Sequence, residues 1–172
     1  MLVAPRIENY LNETHTNYDV VHHGFTNTAY DSACSAHLSS KSVVKAVILR
    51  DTDDGKYVVA VIPASHKLKL SWVDRELNRR MELAEEIDMP QLFDDCLLGA
   101  IPGFAQAYGI ELIWDDRLST QSNLYFESGS HQDLIRITNK QFTTLFKFYP
   151  HATISTEKTH FWGDHSDVER FE

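Results

Sequence analysis

The sequence predicts a mixed α/β domain, and three observations carry that prediction. Two β-branched runs, residues 43–49 and 57–62, are separated by the acidic stretch 51–54 and Gly55. Such runs suit a buried pleated surface and Asp-Gly favours a turn, so they read as a hairpin at the centre of a sheet. Further strand-like runs lie at 18–22, 108–114, 123–127 and 133–137. Segments with helical spacing alternate with these runs along the chain, which points to a mixed architecture rather than an all-α or all-β one.

In chain order, residues 5–13 place Ile7, Tyr10 and Leu11 at helical spacing, with Pro5 suited to a first turn. The strand 18–22 leads through His22, His23 and Gly24 to Thr26, Asn27 or Thr28, each able to cap a helix over 29–38. After the hairpin, residues 67–70 alternate like an edge strand, and Ser71 can cap a helix over 72–80. Residues 81–86 fit either a strand end or a helix start, and 89–93 a single helical turn. The composition of 99–103, Gly-Ala-Ile-Pro-Gly, is that of a loop. Beyond the strands 123–127 and 133–137, Thr138 or Asn139 is placed to cap a helix carrying Phe142, Leu145 and Phe146. The domain is expected over 1–150, with 151–172 as a polar C-terminal tail.

The whole chain bounds the functional classes. Its 172 residues suffice for one cored domain, and no apolar run approaches the ~20 residues that span a membrane. The N-terminal stretch carries a Pro and acidic residues where a leader would need a basic start and an apolar core. Cys34 and Cys96 make no disulfide framework, so a reducing cytoplasm is expected. A net charge of −9 argues against a protein that coats DNA or any nucleic-acid backbone, but not against one that grips a single end.

One residue stands apart in the hairpin. Lys45 sits two positions into an apolar strand, where an ammonium must snorkel out or face a polar cavity. The order of the motifs around it is informative. Thr28-Ala29 and Ser32-Ala33 on a helix precede Val44-Lys45-Ala46-Val47, and Val61-Ile62-Pro63-Ala64-Ser65 closes the hairpin. Then come Asp95-Cys96 with Gly99 and Pro102, Tyr108-Gly109, and Gly129-Ser130-His131. This order, from about His22 to Phe146, resembles the YbaK family of aminoacyl-tRNA deacylases, related to the editing domain inserted in bacterial prolyl-tRNA synthetases.

The resemblance implies a single compact domain whose central mixed, partly barrel-like sheet is surrounded by helices. It implies hydrolysis of the ester between a wrong amino acid and a tRNA 3′ end, without metal or cofactor. The partners it implies are a mischarged tRNA and prolyl-tRNA synthetase or another translation factor. Lys45 would contact the tRNA end, and backbone amides of the Gly99 to Pro102 loop would hold the aminoacyl group. Thr28, Tyr30, Ile101, Gly103, Gly129, Ser130 and His131 would complete the binding site. Backbone N–H groups suit an ester, whose developing oxyanion needs preorganised donors. The chain departs from the family where a second Pro is usual: here Gly103 follows Pro102.

Other residues read more plainly. Cys96 fits a small buried side chain better than a nucleophile. His22, His23 and His37 lack metal-ligand spacing; His151, His160 and His165 fall in the tail, and Asp115-Asp116 reads as a strand end. A second class of function stays open at this point: a binding module that keeps the pocket without the chemistry. Convergence of Lys41, Lys45, Lys67 and Lys69 on one cleft would favour the tRNA enzyme.

Overall fold

The computed structural model describes residues 2–159. Helix α1 (Pro5–Glu13) opens on Pro5 and buries Ile7 and Leu11. It is followed by β1 (Asp19–His22), α2 (Ala29–Ser35), β2 (Val43–Asp51) and β3 (Tyr57–Pro63). Next come β4 (His66–Leu68), α3 (Leu70–Leu77), β5 (Met81–Leu83) and the short α4 (Met89–Leu92). The chain then runs through β6 (Glu111–Asp115), β7 (Asn123–Glu127), β8 (Asp133–Thr138) and α5 (Asn139–Phe146), and on to β9 (His151–Ala152) and β10 (Ser155–Glu157). No helix is long and apolar enough to cross a membrane among the described residues.

The result is a mixed α/β domain with a central mixed sheet flanked by helices. Eight strands run in the order β1-β8-β7-β2-β3-β6-β9, with β5 added against β2. The β2/β3 hairpin is antiparallel from Val44↔Pro63 to Arg50↔Tyr57 and sits at the middle, as its β-branched composition requires. Its outer neighbours β7 and β6 join it in parallel. Among the described residues no pairing joins β1 to β9, so the sheet is open and does not close into a barrel.

Alternation along β2 divides the core. Val44, Ala46 and Ile48 face a large cluster that holds Phe104, Phe126, Phe142 and Phe146 beside α1 and α5. Val47 and Leu49 face a second cluster with Val73 of α3, and Val43 packs with Ala29 and Ala33 of α2. Helix α5 starts with a capping box in which Thr138 accepts from the Gln141 N–H.

Short elements decide or overturn the sequence expectation. Residues 66–68 form no edge of the main sheet: β4 pairs with β10 in a separate two-stranded sheet. Residues 81–83 become a strand because β2 is long enough to offer Leu49, Arg50 and Asp51 as partners. The strand expected from Tyr108 begins at Glu111, since Gly109 takes a left-handed φ of +67° after a 3₁₀ turn over Ala105–Tyr108. Past residue 150 the chain adds β9 to β6 and β10 to β4. The buried Asp115 fastens that return by accepting from the Ile154 N–H at 3.0 Å and the Ser155 hydroxyl at 2.6 Å. Residues 160–172, the rest of the expected tail with His160 and His165, lie outside the described residues.

Candidate functional site

A cavity of about 250 Å³ opens on the face of β2 that carries Ala46 and Ile48. Its apolar wall is completed by Leu83 and Ala84 at the end of β5, Met89, Leu98 and Ile101. The polar groups on its wall are Asn27, Glu86 and His131, together with the backbone of Gly99.

The loop 97–103 is held from below by a polar knot. Tyr108 donates to Asp95 at 2.8 Å, the Arg6 N–H donates to the other Asp95 oxygen at 2.9 Å, and the Cys96 thiol lies 3.1 Å from the Tyr108 hydroxyl. Burial by itself raises the Asp95 carboxyl, but the donated hydrogen bonds outweigh it and hold the group below the usual carboxylate range. Burial pushes the Cys96 thiol up to about 12, which favours the thiol over the reactive thiolate at neutral pH. Asp95, Cys96 and Tyr108 are therefore structural, and they fix the entry to the loop.

Within the loop, the Leu97 N–H donates to the Gly129 carbonyl at 2.9 Å and the Ala100 N–H to the Leu97 carbonyl at 3.0 Å. Gly99 has φ +83°, a conformation that suits glycine. Among the described residues the N–H groups of Gly99 and Ile101 have no intramolecular acceptor, and both residues line the cavity. Pro102 and Gly103 turn inward and are buried. A Cβ at Gly103 would stand 3.1 Å from Val44 Cγ1 and 3.2 Å from the Phe126 ring. The missing second proline is thus a matter of packing against β2 and β7, and Gly103 is not among the residues lining the cavity.

The turn after β7 forms the adjoining wall. Gly129 has φ +96°, and the Ser130 hydroxyl bonds the Asp133 carboxylate at 3.0 Å. His131 of this turn lines the cavity, and its ring packs against Phe25 at 4.9 Å between centroids with the planes tilted by 46°. Thr28 serves as N-cap of α2, accepting from the Asp31 N–H at 3.1 Å, while its neighbour Asn27 reaches the cavity. Tyr30 lies on α2 with the Lys158 ammonium 6.0 Å from its ring centroid.

Lys45 is buried, 7% exposed. It pairs with Ile62 and shares the strand face of Val43 and Val47, opposite to Ala46 and Ile48. It is not among the described residues that line the cavity. Lys41 lines a different, polar cavity of about 300 Å³ with His66, Arg117 and Glu157. Lys67 lies on β4, and Lys69 precedes α3. The structure therefore joins Gly99, Ile101 and His131 at one cavity and leaves the four lysines elsewhere.

The histidines have local partners: His22 Nδ1 lies 2.9 Å from the Asp133 carboxylate, and His23 Nδ1 lies 2.6 Å from the Gly24 carbonyl. His37 ends α2 with φ +56°. Among the described residues no three His, Cys, Asp or Glu side chains converge in a way that could hold a metal ion.

Glu127, at the end of β7, is buried and accepts from the Ser32 hydroxyl at 2.8 Å. Burial raises its carboxyl from 4.5 to about 7, against a smaller lowering by Ser32. A raised acid favours its neutral form in the fold. Its contribution to stability is complete below about pH 4.5 and is lost as pH climbs through about 7. Glu127→Gln is thus expected to match the native chain at pH 4.5 and to exceed it by about 3 kcal/mol at pH 8. Thermal melts at both pH values check this, and a difference that does not change with pH would contradict it.

Comparison with known proteins agrees with this architecture. A model of the aminoacyl-tRNA editing domain family matches residues 23–145. No curated protein matches the chain. Among solved structures, the hypothetical protein APE2540 superposes with a TM-score of 0.77 at 19% identity, covering 88% of this chain and 99% of its own. A candidate trans-editing enzyme for prolyl tRNA synthetase gives 0.74 at 18% identity, covering 91% and 97%. A candidate signal transduction protein from Marinobacter aquaeolei VT8 gives 0.69 at 13% identity, with 88% of this chain matched to 30% of that longer one. At such identities the likeness is one of fold. The family match spans most of the chain, from the loop before α2 to the last turns of α5, and with it this chain belongs to the aminoacyl-tRNA editing domain family.

Proposed function

We propose that the chain cleaves, in trans and without a metal, the ester joining a wrongly attached amino acid to a tRNA 3′ end. Errors of the prolyl system are the proposed substrates, in line with the named role of one similar structure. The observation that carries this reading is that Gly99 and Ile101, which line a largely apolar cavity, have N–H groups with no intramolecular acceptor among the described residues. Preorganised backbone donors of this kind stabilise an oxyanion. Water adds to the ester carbonyl, the oxyanion forms against the two N–H groups, and the ribose oxygen leaves with a proton. The products are a free amino acid and an uncharged tRNA. A neighbouring ribose hydroxyl orients the water, as the family resemblance implies. The apolar wall of Ile48, Met89 and Ile101 receives the amino-acid side chain, and Glu86 supplies a carboxylate for its α-ammonium.

The binding-module reading is favoured by one specific observation. Lys45, the cation expected in the pocket, occupies the opposite face of β2. A panel of mischarged tRNAs, tested with the native chain and Lys45→Ala, separates the two. The hydrolase reading expects turnover of at least one member, with Lys45→Ala within threefold of the native chain because Lys45 does not line the cavity, and thermal melts monitoring the fold. Tight binding of a non-hydrolysable aminoacyl-adenosine, with no turnover anywhere in the panel, would establish a binding module instead.

A further inference from the structure

Phe25 is 63% exposed, yet it does not sit on a loose loop. The His23 N–H donates to the Gln132 carbonyl at 2.8 Å and the Thr26 N–H to the His131 carbonyl at 3.1 Å. The Gly24 N–H donates to the Ser35 hydroxyl at 3.0 Å, and the Thr26 and Ser32 hydroxyls meet at 2.8 Å. These bonds tie the segment both to α2 and to the turn after β7. The Phe25 ring is further fixed at 4.9 Å and 46° against His131, which lines the cavity. Asn27, two residues on, lines the same cavity, and so do Leu83 and Leu98, which are 56% and 49% exposed. An aromatic face is thus held rigidly beside the cavity, on a partly apolar rim. Keeping such a face in water is unfavourable unless a ligand covers it.

We propose that Phe25, backed by His131, is the platform on which the unpaired terminal base of the tRNA stacks. The inference rests on the editing reading of the cavity. An ester placed inside leaves its own nucleoside at the mouth, and every base offers a π face to an aromatic ring. Such stacking tolerates any base and needs no positive field. It suits a chain of net charge −9, in which the expected lysines lie away from the cavity.

The test uses an uncharged RNA hairpin with a single-stranded 3′ tail ending in 2-aminopurine, whose fluorescence falls when it stacks. The native chain and Phe25→Trp are expected to quench the probe. Phe25→Leu, which keeps apolar area but has no π face, and Phe25→Ala should not quench it and should bind about tenfold more weakly or worse. Equal quenching by Phe25→Leu, or unchanged affinity in Phe25→Ala, would overturn the proposal. Because the probe carries no ester, the result is independent of turnover. Phe25-dependent quenching beside an inert deacylation panel keeps the platform and removes the hydrolase reading. Full deacylation with no Phe25 dependence does the reverse.

Discussion

Gly129→Val is expected to lower the melting temperature by on the order of 10 °C. Two costs combine. The backbone at Gly129 has φ +96°, which a β-branched residue adopts only under strain of about 1–3 kcal/mol. A Cβ there would also stand 2.8 Å from the Ala4 Cβ and 3.2 Å from Cys96 Sγ, and overpacking of this kind costs a further ~1–3 kcal/mol. Neither neighbour can retreat easily. Ala4 is fully buried and its N–H is bound to the Ser128 carbonyl at 2.7 Å, while Cys96 belongs to the Asp95–Tyr108 knot. Gly109→Ala is the control: φ is +67°, but nothing lies within 4 Å of the added Cβ, so only strain applies and the loss is smaller. Calorimetry checks both. A Gly129→Val chain that melts within 2 °C of the native one would show that the α1 start and Cys96 yield at no cost.

The parts of the fold that were legible are those whose signal is local. Residues 43–49 and 57–62 declare themselves because β-branched side chains and an Asp-Gly turn leave few alternatives. A cap at Thr138 or Asn139 is readable from residue type; that Thr138 takes the role, with Gln141 completing a capping box, comes from the structure. The illegible parts depend on partners distant in sequence. Strands β5, β9 and β10 are three, two and three residues long, too short to show a period. Each exists because a longer strand or a buried side chain, such as Asp115, offers it hydrogen bonds.

The site divides in the same way. Gly99, Ile101 and His131 enter through the family resemblance, whose loop and turn motifs they carry; composition alone marks them only as loop and turn residues. Asn27 read only as a possible cap, a role that Thr28 takes, and Glu86 sits in a 3₁₀ turn with no period to mark it. Lys45 illustrates a limit of strand patterns. Alternation fixes that it faces away from Ala46, but only the packed sheet says which face the cavity occupies. Pro102 and Gly103 share the loop's composition with Gly99, yet their burial against the core separates packing from contact with the cavity.

Gly99→Ala is expected to cut the rate of deacylation about a hundredfold, the scale on which loss of one oxyanion donor acts. The variant keeps its N–H but not the geometry. Alanine at φ +83° is strained by roughly 1–2 kcal/mol, and the loop relieves that strain by rotating the peptide. Rotation re-aims the Gly99 N–H and shifts the path of the loop toward Ile101, which lines the same cavity. The loss should fall on kcat and leave KM nearly unchanged, because the donors matter most when charge has developed on the ester oxygen. The apolar wall proposed to receive the amino-acid side chain includes Ala46 and Ile48 of β2, Leu83 and Met89, which lie outside the rotating peptide. The loop's outer anchor, the Leu97 N–H on the Gly129 carbonyl, lies before the substituted residue and should keep the fold intact. Single-turnover rates on whichever tRNA the panel identifies, with melts run in parallel, separate the effect from unfolding. A rate within threefold of the native chain would take the Gly99 loop out of the chemistry and leave the cavity as a binding site alone.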